Sequence, residues 1–264
     1  MRILEWEAFL EEGLPVGDGF AAMSVGVFDG VHRGHKILIE RILNQNQCLL
    51  PVIITFRQNH KNSSSAYLGN ITSFRQKTAI FESMGVAVTV VADLSQSFRR
   101  LSGKEFFRLL WERGKMGFLA AGNNFRCGHD LDTDSSKIYK IHADQGIPCN
   151  IVETITEDGV PISSNRIREA IHHGKLREAE SMLGRPFILD ITGTEFVQPE
   201  NPNDDMVYHT ARLDSVLPPP GKYNVLLHEE NCGSKQIEIQ IEKALIRIPH
   251  VFFCEKKTWL EFIC

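Results

Sequence analysis

Apolar residues follow two rhythms that alternate along the first two thirds of the chain. Short, nearly continuous apolar runs occur at MSVGVF (23–28), LPVIITF (50–56), VAVTVVAD (86–93), GFLAAG (117–122) and PCNIVETI (148–155). Between them lie stretches with apolar positions three and four apart: HRGHKILIERILNQ (32–45), TSFRQKTAIFESMG (72–85), SGKEFFRLLWERGKM (102–116) and TDSSKIYKIHADQG (133–146). The runs are too short for buried helices and too apolar for strands with one wet face, so they predict strands buried on both sides. The spaced stretches predict amphipathic helices. Ser102 with Glu105 three residues on predicts a capping box. SSNRIREAIHHGKLREAESMLG (163–184) reads as two short helices separated at Gly174. Strand and helix alternating in this way predict an open, mostly parallel α/β sheet with helices on both faces.

The pattern changes at Gly184. From RPFILDITGTEF onward helical spacing disappears until the last few residues, QPENPNDD (198–205) reads as a polar loop, and residues 217–248 read as turn, strand, turn, strand. The predicted division is therefore a domain at 1–184 and a small C-terminal β-rich domain at 185–264. At 264 residues with a net charge of −4, the composition is that of a soluble globular protein. Nothing in that balance points to nucleic acid, and no apolar run has the length to span a bilayer. MRILEWEAFLEEGLP lacks the pattern of a signal peptide. The six cysteines (Cys48, Cys127, Cys149, Cys232, Cys254, Cys264) form no C-x-x-C pair, which predicts reduced thiols, no zinc site and a cytoplasmic location.

GVFDGVHRGH (26–35) lies where the first strand gives way to the first helix, the position at which parallel sheets bind ligands. Gly26 and Gly30 allow a phosphate or a nucleobase to approach the backbone. His32 and His35, three apart in the first turn, fall on one face with the free N–H groups and positive end of the helix dipole. Two imidazoles aimed at a phosphate stabilise charge that builds in an in-line transition state. A solvated face or half of a metal site would show the same spacing, but no further Cys/His cluster supplies the other ligands. Asp29 is placed to orient an imidazole or to help hold a magnesium ion. A second helix start, ISSNRIREAIHHG, puts Ser163, Ser164, Arg166 and Arg168 together as a second phosphate clamp, or else as an ordinary Ser-capped surface helix. Arginines in a first turn oppose the dipole, which favours the anion reading.

Together these stretches resemble the adenylyltransferase module of the prokaryotic FAD synthetases, the bifunctional riboflavin kinase/FMN adenylyltransferases. The G-x-F-D-G-x-H-x-G-H motif is intact, AGNNFRCGHD resembles the family's G-x-D/N-F-x-F-G segment, and REAESMLGRPF resembles the end of the module. The likeness spans roughly residues 15 to 190. It implies a nucleotidyltransferase (Rossmann-like) fold and transfer of AMP from ATP to FMN, giving FAD and pyrophosphate, with Mg2+ accompanying ATP. Carried over by position, it implies nucleotide contacts at Gly26, Phe28, Asp29, Gly34, Asn124, Asp134, Ser163, Ser164 and Arg168. The catalytic residues implied are His32, His35, Ser164 and Arg168, and no side chain is expected to be a dedicated metal ligand. Phe56 is a flavin wall contact or a core phenylalanine.

Three positions depart from the family pattern. F-x-P-H-P appears as FRQNH, S-S-T-x-I-R carries Asn165 for Thr, and Cys127 stands at an aromatic position. In the C-terminal module the kinase's G-x-P-T-A-N is absent from GTEFVQPENPNDDMVYHTARLDSVLPPPGKY, while LPPPGKYNVLL resembles the strand that normally follows it. The resemblance therefore implies a truncated kinase barrel that does not phosphorylate riboflavin. Two alternatives remain: a non-catalytic flavin- or nucleotide-binding protein, and a nucleotidyltransferase acting on another small phosphate ester. The oligomeric state is not legible.

Overall fold

A computed structural model describes residues 1–45, 48–57, 67–92, 96–197, 205–210, 213–230, 233–249 and 257–263. The chain divides into two compact units, Met1–His60 with Lys77–Pro161, and Lys61–Gln76 with Ile162–Cys264.

The elements are β1 (Arg2–Glu5), α1 (Trp6–Glu12), β2 (Ala21–Val25), α2 (Arg33–Leu43), β3 (Leu50–Phe56), α3 (Phe74–Met84), β4 (Val88–Ala92) and α4 (Gln96–Arg99). There follow α5 (Gly103–Glu112), β5 (Met116–Gly122), β6 (Arg126–Cys127), β7 (Thr133–Asp134), α6 (Ser135–Asp144), β8 (Cys149–Val152), β9 (Thr156–Glu157) and β10 (Val160–Pro161). Six of the strands form one parallel sheet in the order β1-β4-β3-β2-β5-β8. Its central strands are mostly apolar because both faces are covered, and the buried hydroxyls of Ser24 and Thr55 donate to the Ala120 and Val27 carbonyls. On one face Met23, Val25, Val52, Ile54 and Leu119 pack with Phe9 of α1 and Phe107 and Leu110 of α5. On the other, Ala22, Ile53, Phe118 and Ala120 pack with Ile39 and Ile42 of α2 and Phe81 of α3. Each fully buried Ile or Leu among these contributes about 2 kcal/mol of transfer free energy. The capping box forms as its spacing predicts: Ser102 Oγ accepts from the Glu105 amide and the Glu105 carboxylate accepts from the Ser102 amide.

The strand order fixes where a ligand fits. From β2 the chain steps through β3 to β4 on one side, then crosses to β5 and β8 on the other. The C-terminal ends of β2 and β5 therefore flank the point where the winding reverses, which is where open α/β sheets take their ligands.

The second unit holds α7 (Ser164–His172), α8 (Leu176–Leu183), β11 (Ile188–Asp190), β12 (Phe196–Val197), β13 (Met206–His209), β14 (Gly221–Glu229), β15 (Gly233–Ile241), β16 (Leu245–Ile248) and β17 (Thr258–Phe262). The seven strands make one antiparallel sheet, β11-β17-β14-β15-β16-β13-β12. In β15, Ile237, Ile239 and Ile241 are buried and the residues between them exposed, the alternation of a sheet with one wet face. The helical spacing read in the last few residues is not realised. Residues Thr258–Phe262 form a strand between β11 and β14, because Thr258, Leu260 and Phe262 alternate into the interior. Most of the QPENPNDD stretch, residues 58–60 of FRQNH, and Cys232, Cys254 and Cys264 lie outside the described residues.

Candidate active site

The loop leaving β2 turns three times through the left-handed region: φ is +53° at Phe28, +79° at Gly30 and +39° at Val31. Only glycine adopts this region readily, and a β-branched residue there is strained by about 1–3 kcal/mol. Packing holds the turn. Val31 is fully buried, and the Phe28 ring lies edge-on to Phe81 with centroids 5.5 Å apart. The turn closes with the Val31 amide donating to the Phe28 carbonyl at 3.2 Å and delivers His32 to the N-cap of α2.

The two histidines come together as their spacing predicts. Their rings stack with centroids 3.7 Å apart and 18° between planes, and Phe28 meets His35 edge-on at 5.1 Å. The glycines of the motif make room for these rings. A Cβ on Gly34 would lie 3.2 Å from His32 Cε1, and one on Gly26 would lie 3.2 Å from Phe28 Cε2. Their smallness thus serves the packing of the site itself. The result is a pair of imidazoles at the positive end of α2, an arrangement suited to an anion.

Beneath this turn lies a group that sequence reasoning missed. Lys77 of α3 is 5% exposed, and its ammonium donates to the Val27 carbonyl (3.1 Å), the Phe56 carbonyl (2.7 Å) and Thr55 Oγ1 (3.2 Å). Thr55 Oγ1 also donates to the Val27 carbonyl at 3.1 Å. Lys77 thus ties the end of β3 to the loop after β2. Burial pushes it down to about 8; the charge on Asp29 pulls it back up and that on Arg57 adds to the depression. Asp29, itself buried, has a lysine as its electrostatic neighbour. The available signal was a lysine on the stripe Phe74, Lys77, Thr78, Phe81, at i, i+3, i+4 and i+7.

At the end of β5, Asn123 is locked by Thr154 Oγ1 (2.6 Å) and Glu153 (2.9 Å), whereas Asn124 beside it is exposed. Asp134 caps α6, accepting from the Lys137 amide at 3.0 Å, a bond that draws its carboxyl below the ordinary value. Cys127 is a half-buried thiol pushed up to about 12 by desolvation and by Asp132. Phe56 sits in an aromatic cluster, edge-on to Phe98 at 5.7 Å, and Phe98 in turn meets Trp6 at 5.2 Å. Among the described residues no group of three or more His, Cys, Asp or Glu side chains is arranged to hold a metal ion, and no helix is long and apolar enough to cross a membrane.

In the second unit, Ser163 is the N-cap of α7 and accepts from the Arg166 amide at 3.2 Å; Ser164 opens the helix. The Arg166 guanidinium pairs with Glu178 of α8 at 3.5 Å. Arg168 is 4% exposed, with Nε donating to the Gly69 carbonyl at 2.9 Å and Nη1 to Asn165 Oδ1 at 2.7 Å. Two arginines that oppose the helix dipole thus find acceptors within their own unit.

A family model described as FAD synthetase matches residues 18–166. The bifunctional riboflavin kinase/FMN adenylyltransferase of Escherichia coli (strain K12) is 29% identical over 172 residues, covering 63% of this chain and 55% of that protein. The protein of the same description from Bacillus subtilis (strain 168) is 28% identical over 178 residues, covering 64% and 55%. The chain therefore spans about half the length of the curated relatives it matches. A solved structure described as a macrolide-efflux protein from Streptococcus pneumoniae superposes with a TM-score of 0.81 at 19% identity, over 99% of this chain and 90% of that one. At that identity the likeness is one of fold alone. The family match carries more: it takes in the turn with His32 and His35, Asn124, Asp134 and both serines of α7, and it spans more than half of the sequence. On that ground the chain belongs to the FAD synthetase family.

Proposed function

We propose that this chain is an ATP:FMN adenylyltransferase. A phosphate oxygen of FMN attacks the α-phosphorus of ATP; the new P–O bond forms as the bond from the α-phosphorus to the bridging oxygen breaks, and pyrophosphate leaves. The attacking phosphate is already ionised, so no base is needed and no covalent enzyme intermediate forms. The observation that carries the reading is the stacked His32–His35 pair at the head of α2, next to the reversal of the sheet, in a chain of this family. N–H groups of imidazoles and of a helix start stabilise the charge that builds on the α-phosphoryl oxygens. The nucleotide-binding set is Gly26, Phe28, Asp29, Gly34, Asn124, Asp134, Ser163, Ser164 and Arg168. Ser164 and Arg168 take the leaving pyrophosphate, and Phe56 borders the flavin.

Mg2+ is the metal this reaction calls for, supplied on the triphosphate. The described residues offer no acidic cage for it, and Mg2+ on nucleotides is commonly held by phosphate oxygens and water with few protein ligands. Bound there, it neutralises phosphate charge.

We assign no riboflavin kinase activity, because a kinase needs backbone groups and a hydroxyl around its own triphosphate, and the P-T-A-N element is missing from the sequence. The test is to incubate the purified chain with ATP and Mg2+ and with FMN, riboflavin or another phosphate ester in parallel, resolving products by chromatography. FAD should appear from FMN alone. FMN formed from riboflavin at a comparable rate overturns the kinase assignment; no FAD, or faster adenylylation of another ester, overturns the reading itself.

A further inference from the structure

Arg168 is held by a structure drawn from three distant parts of the sequence. Besides its bonds to the Gly69 carbonyl and Asn165, its guanidinium carbon lies 5.0 Å from the centroid of the Tyr67 ring, in cation–π geometry. Tyr67 and Gly69 belong to a short segment before α3, and that segment is fastened to residues 214–216, which precede β14. The Asn70 amide donates to the Asp214 carbonyl and the Val216 amide to the Asn70 carbonyl, both at 2.9 Å, as an isolated parallel bridge. Asn70 Nδ2 donates to Asp214 Oδ2 at 2.7 Å, and Tyr67 Oη donates to Asn70 Oδ1 at 2.5 Å. Gly69, at φ +103°, lies so close that a Cβ would stand 2.5 Å from the Ser215 carbonyl carbon. The approach is therefore fixed by backbone as well as by side chains. A continuous line of contacts runs Asp214–Asn70–Tyr67–Arg168.

The geometry points to Tyr67, Asn70 and Asp214 as positioning residues for Arg168, through which the C-terminal β module takes part in adenylyl transfer. The inference rests on the proposed role of Arg168 at the ATP phosphates. Its physical content is pre-organisation. A guanidinium fixed by two acceptors and a ring face loses less freedom when it meets a phosphate than one that must first be ordered. It also gives the departure at Asn165 a purpose, since its amide oxygen supplies one of those acceptors. The C-terminal module, to which the proposed function gives no kinase activity, thereby has a task in adenylyl transfer.

The test is a cycle of variants read by calorimetric binding of ATP and, separately, of FMN, with thermal unfolding as the control for folding. Asp214 is exposed, so Asp214→Ala is expected to fold. It should weaken ATP binding about threefold and leave FMN within twofold, while Asp214→Asn, which keeps an acceptor for Asn70, should restore ATP binding. Tyr67→Leu, which removes the ring, should weaken ATP about fivefold. In an Arg168→Ala background, Asp214→Ala should have no further effect on ATP. An equal loss in both backgrounds, or an equal loss for FMN, overturns the positioning role while leaving the function of Arg168 intact. If Arg168→Ala alone leaves ATP binding unchanged, the role given to Arg168 fails first, and that single variant shows it. Should Asp214→Ala unfold, Tyr67→Leu and the Asn variant decide the matter by the same comparison.

Discussion

Gly34→Ala separates the chemistry of the histidine pair from the stability of the helix that carries it. Gly34 is the second residue of α2, where alanine is intrinsically better than glycine by up to about 1 kcal/mol. Against this, the added Cβ would stand 3.2 Å from Cε1 and 3.3 Å from Nδ1 of the His32 ring. Ordinary carbon contacts lie at about 3.5–4.0 Å, so the ring must retreat by roughly half an ångström. It cannot do so alone, because His32 is 7% exposed and stacked on His35 at 3.7 Å. The propensity gain and the crowding are of similar size, so net stability should stay within about 1 kcal/mol, a shift in Tm of roughly 3 °C. Turnover is another matter: a displacement of 1 Å at reacting groups costs about a hundredfold, so half of that costs on the order of tenfold. The assay pairs initial rates of FAD formation with thermal unfolding of the same preparation. A folded variant with wild-type turnover refutes the claim that the placement of the His32–His35 stack sets the rate. A fall in Tm of more than about 6 °C would instead make Gly34 a packing residue.

Lys77 titrates in the fold at about 8 against an ordinary value of 10.5, so between those values the unfolded chain binds a proton that the folded chain lacks. Stability from this group therefore rises with pH through that window, and the difference between wild type and Lys77→Met should grow by about 2–3 kcal/mol from pH 8 to pH 10.5 in denaturant melts. A difference flat with pH contradicts the buried-ammonium description. Cys127 and Cys149, pushed up by burial to about 12 and about 11, stay protonated at pH 8.5, whereas Cys48 is exposed. Iodoacetamide with peptide mapping should label Cys48 before Cys127 and Cys149, and equal rates at these three would contradict the burial of the other two.

Much of the fold is legible in the sequence alone, and the reasons are local. The runs at β2, β3 and β5 announce themselves because every residue faces a covered side, and Ser102 with Glu105 needs only its own helix. The histidine pair is likewise a matter of spacing within one turn. What escaped depends on partners far along the chain. β1 exposes three of its four residues and is a strand only because β4, more than eighty residues away, lies beside it. Lys77 went unnoticed within its helix, because the carbonyls of Val27 and Phe56 that hold it come from the loop after β2 and the end of β3. Arg166 and Arg168 read as an anion clamp or as surface arginines of a Ser-capped helix, and neither reading contains Glu178 or the Gly69 carbonyl, which are invisible to helix periodicity. Gly26 and Gly30 stood out as room for a ligand, whereas the room that Gly26 and Gly34 leave for the rings of Phe28 and His32 depends on a loop path that spacing does not show.

The central claim is direct transfer of AMP from ATP to FMN by this chain. ATP labelled at the α-phosphorus, supplied with Mg2+ and FMN, tests it most directly when label is followed into FAD and into protein and unlabelled pyrophosphate is counted. The account predicts one labelled FAD for each pyrophosphate released, with no label on the protein at any time. Label that stays in ATP while folded protein and FMN are present, or that passes first onto the chain, would contradict it.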